Sequence, residues 1–504
     1  MRGFLILDFG SQYTQLIARR LREVGHYSEI LSPLVSIEEI KSKKPYGIIL
    51  SGGPNSVYEA TSPRRSVTAL AEVAPLLGVC YGMQLMAYEL GGQVQRGTSR
   101  EYGPETVEWL SEMAGVPQKQ NVWMSHGDVV ASLPTGFKLW AKSSTHIAAF
   151  QSEKMWGLQF HPEVAHTEHG EKILSAFAKF CSAPADWQTS EVVKELLQKV
   201  KAQVGPEQKV LIALSGGVDS SVAAMLVTKA LGPERVQCLF VNNGLLRKNE
   251  FEDVLHNYQN LGLRVEGVRA EKEFLSQLAG VTDPEKKRKV IGRVFIETFE
   301  KWVEQKGGFD FLVQGTLYPD VIESVSVVGG SHTIKTHHNV GGLPEHMKFK
   351  LIEPFRFLFK DEVRRVGLEL GLPAPLIWRH PFPGPGLGIR ILGEVSEERL
   401  QLLREADDIY VSYLKEKDLY NKIWQAFCVL LPVKSVGVQG DARTYDATLA
   451  IRAVTSTDGM TADWFAFSGP DLREISRRIT NQVRGINRVV YDVTCKPPAT
   501  IEWE

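Results

Sequence analysis

Cysteine is scarce in this chain and never clustered. Cys80, Cys181, Cys238, Cys428 and Cys495 are spread over 504 residues, with no Cys-x-x-Cys among them. That excludes a disulfide framework or a zinc ribbon and suits a reducing compartment. Long apolar runs are missing too: no stretch approaches the ~18 uninterrupted apolar residues of a membrane span. Neither sign of charge dominates, since 58 Lys and Arg face 59 Asp and Glu for a formal net charge of −1. A nucleic-acid partner or an anionic membrane is therefore not expected, and any anionic ligand must meet local positive charge. Low-complexity tracts and short repeats are absent. The N-terminal residues run straight into an apolar strand, Phe4–Leu7, without the h-region of a signal peptide, so a cytoplasmic location is expected. What remains is a globular composition, 43% hydrophobic and 23% charged, with length for about three domains.

The chain is organised around Leu211-Ile-Ala-Leu-Ser215-Gly-Gly-Val-Asp-Ser-Ser221. The apolar run Val210 to Leu214 predicts a buried strand, and Val222 to Leu231 has helical periodicity. Between them, Gly216 and Gly217 let the backbone approach an anion. Ser215, Ser220 and Ser221, with the amides around Val218, can point at it from a helix N-terminus. A Walker loop is excluded because Gly-x-x-x-x-Gly-Lys-Ser/Thr is missing. Asp219 is the single carboxylate in the turn.

Upstream, apolar strands alternate with helical stretches: Phe4–Leu7 before Thr14–Glu23, Gly47–Leu50 before a Gly-Gly-Pro turn, Leu76–Val79 before Met83–Leu90. This predicts a parallel α/β sheet. Gly78-Val-Cys80-Tyr-Gly82 has the layout of a nucleophile elbow with cysteine in the serine's place. A helix N-terminus favours its thiolate. Gly157-Leu-Gln-Phe-His161-Pro-Glu163 follows as a strand ending in a base and an acid that can fix the base's tautomer. Leu50-Ser-Gly-Gly53-Pro offers amides for an oxyanion hole. Trp123-Met-Ser-His-Gly127-Asp is assigned no catalytic role, since a glycine turn with a half-exposed histidine would look the same.

Cys181-Ser-Ala-Pro-Ala-Asp-Trp187 breaks the periodicity and places a boundary near 188. Helix Glu191–Val204, the Ser/Gly loop, strand Val236–Val241, Asn242-Asn-Gly-Leu-Leu-Arg247 and strand Arg264–Val268 predict a second parallel α/β unit. Phe311-Leu-Val-Gln-Gly315-Thr-Leu-Tyr-Pro-Asp320-Val-Ile-Glu323 carries two acids three apart, on one face of a helical turn. Both are candidates for binding magnesium. Lys335-Thr336-His337-His338-Asn-Val-Gly-Gly reads as a lid, or equally as a solvated loop. Its paired histidines lack the ligand set of a metal site. Pro381-Phe-Pro-Gly-Pro-Gly386-Leu-Gly388 is a Pro/Gly linker, not a dinucleotide fingerprint, because its prolines break the needed strand-turn-helix. Beyond it, helices Glu397–Lys415 and Asp471–Asn481, with β-rich runs Lys434–Gln439, Ala447–Val454 and Arg488–Thr494, predict a small sheet with helices on one face.

Cys80, His161 and Glu163 with the Gly-Gly-Pro turn resemble the class I glutamine amidotransferases from Phe4 to about Phe180, and Trp123–Asp128 is similar to a segment lining that family's glutamine site. The Ser215–Ser221 loop resembles that of the N-type ATP pyrophosphatases, which cut ATP between the α- and β-phosphates; the resemblance implies that Asp219 helps place magnesium. In this order, with the His380–Arg390 and Lys496–Glu504 stretches, the pieces are similar to the GMP synthetase family over essentially the whole chain. The resemblance implies an α/β protein of three domains. They are an amidotransferase domain at 1–188, a Rossmann-like adenine-nucleotide α-hydrolase domain at 189–380, and a small α+β dimerisation domain at 381–504. It implies XMP, ATP and glutamine as substrates, magnesium as cofactor, and a homodimer through the last domain. Gly53 and Tyr81 take the oxyanion-hole positions. Asp320, Glu323, Lys335, Thr336, His337 and His338 take the adenylation and lid positions, and Arg288, Gln425, Arg488, Lys496, Ile501 and Glu502 the XMP positions. A related NAD synthetase would lack the Lys496–Glu504 tail, a binding protein without catalysis would not need both centres, and two independent enzymes in one chain would leave glutamine hydrolysis indifferent to XMP.

Overall fold

The computed structural model describes residues 2–113, 115–325, 349–439, 442–456 and 461–504. The lid stretch, Lys335 to His338, lies outside the described residues. The chain divides into two compact units, residues 1–192 with the described part of 317–335, and the remainder.

The first unit is built on nine strands: β1 (Phe4–Leu7), β2 (Ser28–Leu31), β3 (Gly47–Leu50), β4 (Leu76–Val79), β5 (Gln93–Trp109), β6 (Lys119–Ser132), β7 (Lys138–Lys142), β8 (Ile147–Gln151) and β9 (Met155–Leu158). They lie in the order β2-β1-β3-β4-β9-β8-β7-β5-β6. The sheet is mixed, not parallel throughout as predicted. β2, β1, β3, β4 and β9 run parallel, whereas β8, β7, β5 and β6 are joined by antiparallel pairings. The reason is visible in burial. The short strands β1, β3 and β4 are buried at every position, as strands covered on both faces must be. β6 instead alternates exposed and buried residues, the pattern of a sheet with one wet face. Helix Thr14–Glu23 forms as its periodicity predicts, burying Ile17, Ala18 and Leu21. Tyr318, in helix Tyr318–Val325, belongs to this unit: its hydroxyl accepts the Ile30 amide, and its ring stands 5.1 Å from the Arg22 guanidinium.

The second unit holds two sheets. β10 (Val210–Leu214), β11 (Val236–Asn242), β12 (Val265–Arg269), β13 (Phe311–Val313) and β14 (Lys350–Ile352) form a parallel sheet in the order β12-β11-β10-β13-β14. The order reverses beside β10, so the crevice at its carboxyl end is where a ligand is expected. β15 (Gln425–Gln439), β16 (Ala442–Thr455), β17 (Asp463–Trp464) and β18 (Ile486–Tyr491) make the other sheet, antiparallel except for the β16–β18 pair. Helix Glu397–Glu416 buries Leu400, Leu403, Ala406 and Tyr410 in a core shared with Cys428 and Leu430 of β15. Among the described residues no helix is long and apolar enough to cross a membrane.

Candidate active sites

Three neighbouring strand ends build the first site. Leu50 of β3 lies opposite Gly78 of β4, and Val79 of β4 opposite Leu158 of β9. The turns leaving these strands therefore emerge side by side, carrying Gly53, Cys80 and His161. Cys80 sits at φ 51°, a conformation costly for a non-glycine residue, immediately before helix Tyr81–Glu89. The flanking glycines permit the sharp turn: a Cβ on Gly82 would stand 2.2 Å from the Leu50 carbonyl oxygen, and one on Gly78 2.6 Å from Gly82 itself. Gly53 is packed as tightly, 2.5 Å from the Phe9 carbonyl oxygen by the same measure.

His161 and Glu163 follow β9 and are almost fully buried. Glu163 Oε1 lies 2.7 Å from His161 Nδ1, so the carboxylate accepts from that nitrogen and leaves Nε2 for the thiol. Burial alone would make the imidazole less basic. The Glu163 carboxylate and the Cys80 sulfur outweigh it and hold the imidazole well above its ordinary value. A raised histidine beside a cysteine is the condition for a thiolate–imidazolium pair. Residues that sequence reasoning missed hold this arrangement: the Tyr13 ring stands edge-on 5.0 Å from the imidazole, and Thr167 Oγ1 donates to the His161 carbonyl.

The Trp123–Asp128 stretch is not a turn, and its histidine is not half-exposed. It lies inside β6, with His126 buried opposite Glu101 of β5. Glu101 accepts from His126 Nε2, Ser143 Oγ and Thr145 Oγ1, each at 2.9 Å. Burial pushes this carboxyl up, but the three donors win and bring it down to about 2. The neighbouring Ser125 carbonyl faces the Cys80 sulfur at 3.7 Å. The pairing crosses a hairpin, so only the long alternating run could have hinted at it.

In the second unit, β10 enters the Ser215–Ser221 loop. Gly216 takes φ 72°, and Gly217 caps a helix that starts at Val218, four residues before the periodicity predicted. The serines explain the early start: Ser220 and Ser221 donate to the Gly217 carbonyl at 3.1 and 2.6 Å, a back-bonding that continues the helical turn. Ser215 Oγ accepts the Gly217 amide and lies 3.1 Å from Ser220 Oγ. The result is a ring of amides and hydroxyls at a helix N-terminus, suited to phosphate oxygens.

Asp219 lies in the first turn of that helix. Its Oδ2 receives Lys360 Nζ at 2.9 Å, while Oδ1 is buried and meets no donor among the described residues. A single orphaned carboxylate oxygen beside a phosphate cradle fits magnesium, which uses one or two carboxylates plus phosphate oxygens. Lys360 went unread in the sequence although it opens helix Lys360–Glu369, whose Glu362 accepts the Phe359 amide at 2.8 Å. Asp320 Oδ2 accepts the Leu317 amide at 2.9 Å and so caps its own helix. Glu323 follows in that helix, with its side chain outside the described residues.

Comparison with known proteins matches residues 5–180 to the family model "Glutamine amidotransferase class-I", 188–290 to "NAD synthase" and 412–503 to "GMP synthase C terminal domain". A relative from Bdellovibrio bacteriovorus, "GMP synthase [glutamine-hydrolyzing]", is 64% identical over 506 aligned residues, covering 100% of both chains. Relatives of the same name from Aquifex aeolicus and Brachyspira hyodysenteriae are 51% and 53% identical, covering at least 98% of each chain. The chain belongs to the GMP synthase family.

Of the six positions expected from the sequence to bind XMP, the structure gathers some and separates others. Gln425 Nε2 donates to Glu502 Oε1 at 2.7 Å. Arg390, fully buried, grips the same carboxylate with Nη2 and Nε at 2.8 and 3.1 Å. Glu502 thus meets donors already, with further lone pairs to spare for a ligand. Ile501 is buried against Phe427 and Val429. Arg288 reaches the tail through the Glu504 carbonyl, while Lys287 Nζ binds Glu504 Oε2 and the Ile391 carbonyl, both at 2.6 Å. Lys496 is tied by its backbone to Ala462. Arg488 stands apart on β18, exposed, with its guanidinium 3.5 Å from the Val436 carbonyl.

Proposed function

We propose that this chain makes GMP from XMP, using ATP to activate the purine and glutamine to supply the nitrogen, with AMP, pyrophosphate and glutamate as the other products. The observation that carries it is the pairing of two centres in one chain. One is a strained cysteine elbow backed by a buried His161–Glu163 pair; the other is a pyrophosphate loop without a Walker lysine.

In the first centre the Cys80 thiolate attacks the side-chain amide carbon of glutamine. Amides of Gly53 and Tyr81 receive the oxyanion, and His161 gives a proton to the leaving nitrogen. Ammonia departs, and water activated by His161 then hydrolyses the glutamyl thioester. In the second centre the Ser215–Ser221 loop holds the β- and γ-phosphates. The XMP C2 oxygen attacks the α-phosphorus, expelling pyrophosphate. Ammonia then attacks C2 of the adenylated base and AMP leaves with the oxygen. Asp219 would hold magnesium, which when bound would supply positive charge against the departing pyrophosphate. Lys360 offers a second cation there. Gln425, Ile501 and Glu502 position the purine; Arg288, Arg488 and Lys496 suit its phosphate. Asp320, Glu323 and Lys335–His338 keep the adenylation and lid roles that the family resemblance implies for them.

The same reading divides the chain at 188 and 380, places it in the cytoplasm, and makes it a homodimer through residues 381–504. Exposed apolar side chains support the dimer: Val433, Val436, Val438 and Tyr445 lie on the β15–β16 arm, with Val438 73% exposed. A patch of this kind ordinarily finds a partner.

The test is GMP formation by wild type and Cys80→Ala, with XMP and ATP and either glutamine or ammonium. A variant active with ammonium and inactive with glutamine is expected. Retained use of glutamine sinks the cysteine assignment, and no GMP from either protein sinks the substrate assignment.

A further inference from the structure

Arg379 and His380 are consecutive residues at the head of the Pro/Gly linker, and their side chains reach opposite ends of the synthetase site. Arg379 Nη1 donates to the Gly216 carbonyl at 3.2 Å, so it holds the one loop residue with positive φ. Its Nη2 is gripped by Glu250, which is buried. His380 points the other way. Its Nδ1 accepts the Ala426 amide at 3.2 Å, next to Gln425 at the start of β15. Its Nε2 lies 2.8 Å from the Tyr420 carbonyl, and its ring stacks on Tyr420 at 3.7 Å and 7°. Only the neutral Nε2–H tautomer satisfies both nitrogens, because the carbonyl needs a donor and the amide an acceptor. Burial, with Arg247 and Lys415 nearby, pushes this imidazole down to about 4, so it is neutral near pH 7.

A second polar route joins the same two places. Glu250 Oε2 accepts the Arg247 amide at 2.8 Å. The Arg247 guanidinium lies 3.0 Å from Asp407 Oδ2, an ion pair without hydrogen-bond alignment. Asp407 Oδ1 in turn accepts the Cys428 amide at 3.0 Å. Both routes start at Arg379 and end on β15, at Ala426 and at Cys428, two residues apart and therefore on one face of the strand. A chain of buried polar contacts resists displacement, since moving one group breaks the pairing of the next.

We propose that Arg379 and His380 are a positioning pair that sets the pyrophosphate loop and the Gln425 strand in one fixed register, so that ATP and XMP meet in line. This rests on the synthetase reading above. Neither residue touches the reacting atoms. Their job is to make the placement of one substrate depend on the placement of the other.

The test uses the full chain with ammonium as nitrogen donor, in wild type, Arg379→Lys, His380→Leu and His380→Asn. Asparagine Oδ1 stands where histidine Nδ1 does and keeps an acceptor for Ala426; leucine does not. His380→Leu and Arg379→Lys are each expected to raise KM for both ATP and XMP by roughly fivefold or more. His380→Asn should stay within about twofold. A rise for the nearer substrate only, or a fall in kcat and Tm with both KM values unchanged, overturns the proposal. Hydrogen exchange gives an arm independent of catalysis. Amides of the 216–218 loop should exchange faster in His380→Leu, and those of 426–428 faster in Arg379→Lys. Absence of this crossed effect overturns the proposal even if wild type makes GMP. Wild type making no GMP would instead fail the synthetase reading, leaving the exchange arm to decide the register.

Discussion

The two centres solve opposite problems. In the first unit, reactivity is held by the interior: Cys80, His161 and Glu163 are all buried, and the turn carrying the thiol is so tight that a methyl group at Gly82 would collide with the Leu50 carbonyl. In the second, Ser215 is exposed and Gly217, Asp219 and Ser220 are part-buried, and the groups offered to the ligand are amides, hydroxyls and the carboxylate of Asp219. A covalent step needs a nucleophile whose geometry and proton affinity are fixed before glutamine arrives. A phosphate-binding step needs many weak donors converging on charge that the ligand brings. Single substitutions should therefore act differently in the two places. In the first they change chemistry and leave binding; in the second they change the handling of charge.

The sharpest way to break that contrast is at Asp219. Asp219→Asn keeps the shape but removes the charge and the orphaned oxygen's capacity for magnesium. Ammonia-dependent GMP formation should fall about a hundredfold or more, as for lost metal-assisted charge stabilisation. Alkylation of Cys80 by iodoacetamide should be unaffected. If the Asn variant keeps wild-type rates at saturating magnesium, Asp219 is not a metal ligand.

Glu163→Gln should cost glutamine-dependent turnover between about tenfold and a thousandfold, because the amide no longer stabilises imidazolium. The direction of the pH effect follows from the cause. Glu163 raises the His161 proton affinity, so the variant's imidazole should lose its proton at lower pH, and the thiolate–imidazolium form should be depleted from its alkaline side. Iodoacetamide inactivation against pH reads this directly. An unchanged profile would mean that the sulfur, and not the carboxylate, sets the histidine.

Local rules explain what was legible. The Cys80 elbow and the Ser215–Ser221 loop are each fixed by glycines and hydroxyls within seven residues, so composition and spacing reveal them. Strands β1, β3 and β4 fell on their predicted residues for the same reason: four apolar residues in a row, ended by a turn, allow little else. Contacts that depend on strand order were invisible. Glu101 meets His126 only because a long hairpin folds in that register, and Lys360 meets Asp219 across 141 residues because β13 pairs with β10 and β14 with β13. Arg379 and His380 stood in or beside a motif that was recognised but given no role, since nothing in a Pro/Gly run says which way its side chains turn.

A smaller effect is expected in the loop's support. Tyr258 is buried, and its hydroxyl meets Ser221 Oγ, which already donates to Gly217, so the tyrosine is the donor. Tyr258→Phe should lower stability by about 1 kcal/mol, the worth of one buried hydrogen bond, seen as a small fall in Tm. KM for ATP should rise only slightly, because Ser221 keeps its bond to the loop.

The smallest effect on turnover, though not on acid resistance, belongs to Glu101. Its folded carboxyl is held near 2, below its ordinary value of 4.5. A depressed acid stabilises the fold above its unfolded value and loses that contribution as pH falls toward the folded one. Acid unfolding of the first unit should therefore steepen between about pH 4.5 and 2 in wild type, and less so in Glu101→Gln. The glutamine side chain can still accept from Ser143 or Thr145, so the fold survives at neutral pH. What it loses is the charged acceptor that holds His126, next in the strand to Ser125, whose carbonyl faces Cys80, and KM for glutamine should rise by a few-fold at most. A large loss of kcat instead would place the Glu101–His126 pair in the chemistry itself, and the contrast between a fixed thiol centre and its merely supportive surroundings would have to be redrawn.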